Sequence, residues 1–146
     1  MLSQPTRLYT LFIGVVLVLQ GTSTLLFRLY PTLDRAFPLL LELTRMIPTH
    51  SLLHIATGVI ALGFYFWGGP RGSFRFAVSF GVFYLVLAAV GHVTGHQLGL
   101  GLHPFDHPFH VLIGGLGLIA VAIEIFNARR PRADRQNASP GEGQAL

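Results

Sequence analysis

Four long apolar stretches, at about Leu8–Phe27, Ser51–Trp67, Phe74–Val93 and Phe109–Phe126, take up more than half of this 146-residue chain. Each is close to the roughly 18 to 20 residues that carry an α-helix, rising about 1.5 Å per residue, across about 30 Å of hydrocarbon. A water-soluble domain of this size has too little interior to hide them, since 51 % of the residues are hydrophobic, 11 % are charged and the mean hydropathy is +0.58. The expected fold is therefore all-α: a polytopic membrane protein whose four transmembrane helices form an up-down bundle. A soluble enzyme is excluded at this step.

The joints between the stretches carry the helix breakers. Pro31, Pro38 and Pro48 separate the first from the second, Gly68-Gly69-Pro70 the second from the third, and Gly99, Gly101, Pro104 and Pro108 the third from the fourth. Glycines within the stretches, among them Gly14, Gly21, Gly58, Gly81, Gly91, Gly114 and Gly117, are the residues that let helix backbones approach closely in lipid. In the first loop, Pro38 to Pro48 pairs Glu42 with Arg45 among leucines, the pattern of a short interfacial helix as well as of an ordinary connection. Arg7 before the first stretch looks like a signal-peptide start, but no cleavage site follows it, so the stretch reads as a retained helix.

All ten basic residues are arginine. Threading the spans puts Arg7, Arg71, Arg75, Arg129, Arg130, Arg132 and Arg135 on one side, against Arg28, Arg35 and Arg45 on the other. The arginine-rich side is expected in the cytoplasm of a bacterial inner membrane, with both termini there. Residues 1–127 then form the membrane domain, and 128–146, rich in Arg, Pro, Asp, Ser and Gly, a disordered basic cytoplasmic tail. The arginines lack the aromatic interleaving of a nucleic-acid surface, so the expected partners are the lipid bilayer and other membrane subunits or further copies of the chain. The absence of cysteine removes thiolate metal sites and cysteine nucleophiles. No phosphate cradle and no Ser-His-Asp order is present.

The seven histidines, His50, His54, His92, His96, His103, His107 and His110, all fall on the side opposite the arginine-rich one. His50 and His54, like His92 and His96, are four residues apart, and His107 and His110 are three apart, so each pair can share a helix face. Asp106 adjoins the last pair. Counting turns of about 5.4 Å sets two depths: His54, His92 and His110 about a turn inside the boundary, and His50, His96 and His107 nearer water. The three deeper imidazoles, one per helix, are the expected cofactor-binding set. Three at one level would suit a transition metal with an open fourth position, and two on facing helices would suit haem iron. A single imidazole would suit the magnesium of a chlorophyll-type pigment. His50, His54, His92, His96, His107, His110 and Asp106 are the candidate metal ligands. Against this stands a structural role, because histidine also hydrogen-bonds between membrane helices.

Two helix starts look alike: His50-x-x-x-His54-x-x-x-Gly58 aligns with Asp106-x-x-x-His110-x-x-x-Gly114, which makes the two hairpins candidates for a repeat. Gln20 is the strongly polar side chain of the first span. Glu124 lies near the inner end of the fourth, where Arg129 or Arg130 would balance it.

These starts, with Gly117-Leu118 after the second and the Arg-apolar-Gly opening of the first span, resemble a group of four-helix bacterial membrane proteins classed as a domain of unknown function. The resemblance covers about residues 5–127 and implies a four-helix integral membrane fold without an assigned activity. His50 stands where such proteins often carry Asn, and His92, His96, His103 and His107 are additional. The functional expectation is a small membrane protein whose exoplasmic histidine cluster binds a transition metal or haem, as an accessory subunit of a membrane complex and without necessarily being an enzyme. The alternatives are a structural or pigment-associated subunit without metal chemistry and a small transporter, for which the chain is short.

Overall fold

A computed structural model of the chain describes residues 4–30, 32, 35, 46–94 and 106–129. They form four α-helices: α1 (Pro5–Leu29), α2 (Pro48–Phe66), α3 (Gly69–Thr94) and α4 (Asp106–Arg129). All four are long and apolar enough to cross a membrane, and no strand occurs among the described residues. Each helix outruns its apolar core by up to five residues at an end, because capping residues need not be apolar. Pro5 and Pro48 occupy first-turn positions, where a missing N–H removes no helical hydrogen bond. The reversal from α2 to α3 uses only Trp67 and Gly68, and Gly69 follows with φ 59°, a left-handed value that favours glycine. The stretch from Pro38 to Pro48 falls largely, and positions 130–146 wholly, outside the described residues.

The helices pack as two hairpins, α1 on α2 and α3 on α4. Glycine sets both contacts. A methyl group on Gly58 would sit 2.8 Å from the Gly14 carbonyl oxygen and 2.9 Å from Val18 N; one on Gly114 would sit 2.9 Å from the Gly81 carbonyl oxygen and 3.2 Å from Leu85 N. Gly14 and Val18 therefore do in the first hairpin what Gly81 and Leu85 do in the second. The repeat suggested by the two helix starts is thus present in the packing, and the space below each histidine is taken by a neighbouring backbone.

Between the hairpins lies a core of Tyr9, Ile13, Leu17, Ala61, Phe76, Ala77, Phe80, Tyr84, Ile113, Ala120 and Val121. Outward positions are also apolar, with Leu19 61 %, Ile60 55 % and Ile119 55 % exposed, as expected of helices solvated by lipid rather than water. Away from the histidines, several buried polar groups bond to backbone carbonyls, some across helices and some within one. Tyr9 donates from its hydroxyl to Ile113 O at 2.8 Å, in space that Gly117 leaves beside the ring, and Thr10 donates from Oγ1 to Thr6 O at 2.7 Å.

At the arginine-rich end, Glu124 is bonded to Thr6 and, among the described residues, not to Arg129; Arg130 lies outside them. Glu124 Oε2 accepts from Thr6 N at 3.2 Å and Thr6 Oγ1 at 2.5 Å. Thr6 is the second residue of α1, whose preceding residue Gln4 provides no side-chain cap. The carboxylate from α4 thus caps α1 and meets the positive end of its dipole. This contact ties the first helix to the last.

Candidate metal centre

Three imidazoles converge at the opposite end of the bundle. His50 and His54 lie in the first two turns of α2, and His110 follows one turn into α4. They are 2 %, 2 % and 1 % exposed. One ring nitrogen from each lies within 4.8 Å of the other two. The His50 and His54 rings meet edge to face at 4.5 Å between centroids, and His50 and His110 at 6.3 Å. Both ring nitrogens of His54 and Nδ1 of His110 are enclosed without a hydrogen-bond partner among the described residues. Leaving such a nitrogen unmatched costs about 1–3 kcal/mol, so the cluster retains a demand for a proton donor or a cation.

The membership differs from the deeper set of His54, His92 and His110 expected by counting turns. Helix α2 begins at Pro48, so His50 is already wound onto the face of His54 and enters the interior with it. On α3 the inward stripe is Phe80, Tyr84, Ala88 and Gly91. His92 is turned about 100° from Gly91 and is exposed. His107 is half-buried, with its ring against Gly91, where a β-carbon would collide with it. Asp106 is buried at the first position of α4, one turn before His110, and corresponds in the repeat to His50. His96 and His103 lie outside the described residues.

Aromatic rings wall the cluster on the α3 side. Tyr84 meets His110 edge to face at 4.9 Å and continues into a stack with Phe80 at 4.2 Å and Phe76 at 5.1 Å. In the repeat Tyr84 stands where α1 carries Leu17, so a bulky ring backs His110 and an aliphatic side chain occupies the matching place in the first hairpin. Chemically, the arrangement offers neutral nitrogen donors from two hairpins in a dry setting, the combination that zinc, copper, iron and nickel accept. A tetrahedral ion with bonds of about 2.0–2.1 Å holds its donors roughly 3.4 Å apart, so nitrogens within 4.8 Å of one another would draw together by at most about 1.4 Å.

Comparison of the chain with known protein families, with curated proteins and with solved structures finds no match in any of the three.

Proposed function

We propose that this protein is a membrane metal-binding protein that holds one divalent transition-metal ion between His50 and His54 of α2 and His110 of α4. The observation carrying this reading is the convergence of three buried imidazoles, with ring nitrogens within 4.8 Å of one another, on a centre where His54 finds no partner for either nitrogen among the described residues. The excess of arginine at the other end, where Arg7, Arg71, Arg75 and Arg129 sit, supports an exoplasmic position for the ion. Dense packing favours an ion over haem or a chlorophyll-type pigment. A macrocycle between His50 and His110 would have to displace His54 at 4.5 Å from one ring and Tyr84 at 4.9 Å from the other.

The test is metal analysis of protein purified in detergent, stripped with chelator and reloaded with Zn²⁺ or Co²⁺. One ion per chain is expected for the wild type. His54→Ala and His110→Ala should lose it, and His92→Ala should keep it. Absence of stoichiometric metal in the wild type, or retention in both His54→Ala and His110→Ala, overturns the reading. A Soret band in the protein as isolated would replace it with haem.

A further inference from the structure

Three imidazoles leave one tetrahedral position to fill, and α1 carries a polar side chain at the same height. Gln20 is the strongly polar side chain of that span; the residue is half-buried, and its Oε1 is enclosed without a hydrogen-bond partner among the described residues. An amide oxygen buried in an apolar bundle at a cost of about 1–3 kcal/mol calls for an explanation.

Three independent packings give its height. Against α4, the Thr6–Glu124 hydrogen bond sets an antiparallel register in which fourteen residues along each helix lead from Thr6 to Gln20 and from Glu124 to His110. Against α2, Gly21 faces Ser51 and Ile55, which bracket His54 within a turn. Against α3, which runs parallel to α1, the Thr10–Ser73 contact carries Gln20 to Phe83, the neighbour of Tyr84. Gln20 is thus level with His54, Tyr84 and His110.

Its direction follows from helical phase. Gln20 lies seven residues beyond Ile13 and eleven beyond Tyr9, each displacement returning to within about 20° of the same line along the helix. Tyr9 on that line reaches Ile113 on α4 and the Phe80 ring on α3, and Ile13 is 1 % exposed. The stripe from Tyr9 through Ile13 looks into the bundle, and Gln20, half-buried with its Oε1 enclosed, continues it at the edge of the buried face.

We infer that Gln20 Oε1 is the fourth donor of the centre, closing a three-nitrogen, one-oxygen set drawn from α1, α2 and α4. The inference rests on the metal-binding reading above. A neutral amide leaves the charge of the ion uncompensated and keeps the bond weaker than a carboxylate would, a donor set suited to an ion that is exchanged.

The probe is Co²⁺, whose visible ligand-field bands report the donors directly. Wild type, Gln20→Leu, Gln20→Glu and His54→Ala are loaded in the same detergent, and Kd is measured by competition with a chromophoric chelator. Gln20→Leu should still take one Co²⁺ per chain, with Kd raised about 10- to 100-fold and displaced bands. Gln20→Glu should bind more tightly than wild type, also with displaced bands. Wild-type Kd and bands in Gln20→Leu overturn the fourth donor while leaving the triad standing, provided His54→Ala loses the ion. If Gln20→Leu does not fold, unchanged bands and Kd in Gln20→Glu overturn it equally. Failure of the wild type to bind Co²⁺ overturns both readings.

Discussion

A histidine only 2 % exposed with neither ring nitrogen matched among the described residues, as His54 is, works against the stability of the helix that carries it. If that burden is retained for binding, removing it should help the metal-free protein. His54→Leu, close in volume and free of polar atoms, is expected to raise the unfolding free energy of the metal-free protein by about 1–2 kcal/mol. The same change should abolish the rise in Tm that Zn²⁺ gives the wild type. Thermal unfolding with and without Zn²⁺ measures both effects, and a metal-free His54→Leu protein less stable than wild type would argue for a packing role. At this scale the sequence shows which residue type gathers on one side but not which members meet. Whether His50 or His92 joins the cluster turns on a helix start three residues earlier than expected and on a single 100° step past Gly91, neither of which residue spacing alone supplies.

Among the elements, the two hairpins are set by glycine pairs whose neighbours have no such duty. A side chain at Gly114 would strike the Gly81 carbonyl oxygen at 2.9 Å, whereas one at Gly115 meets nothing within 4 Å. Gly114→Leu is therefore expected to destabilise the protein by about 1–3 kcal/mol through forced separation of α3 and α4. Gly115→Leu, facing open space, should stay within about 0.5 kcal/mol of wild type. Denaturation in detergent distinguishes the two adjacent positions, and equal losses would refute the close-approach account. The glycines were legible in the sequence as close-contact residues, and the match of the two helix starts already suggested the repeat. The pairing of Gly14 with Gly58 and Gly81 with Gly114 was not, because a glycine leaves no mark of which backbone fills its space.

The whole molecule is polarised end to end: among the described residues, Arg7, Arg71, Arg75 and Arg129 mark one end and the histidine cluster the other. The chain has no cysteine, so a single introduced thiol reports its side of the membrane without background. In intact cells, Thr94→Cys should be labelled by a membrane-impermeant maleimide and Trp67→Cys should be labelled only after permeabilisation. The reverse pattern would place the histidines in the cytoplasm.

Composition and the length of four apolar runs were enough to determine the class of fold, because burying or lipid-solvating a run of about 20 apolar residues has so few solutions that periodicity hardly matters. Sidedness of arginine and histidine followed from the same threading. The tertiary structure decided which side chains share a centre: it brought His110 to His50 and His54 from 56 residues away, sent Glu124 to Thr6, and set Gln20 level with the cluster. Those outcomes depend on the rotation and axial shift of each helix against its neighbours. Both are set by side-chain packing across interfaces, and the pattern along one strand of sequence does not contain them.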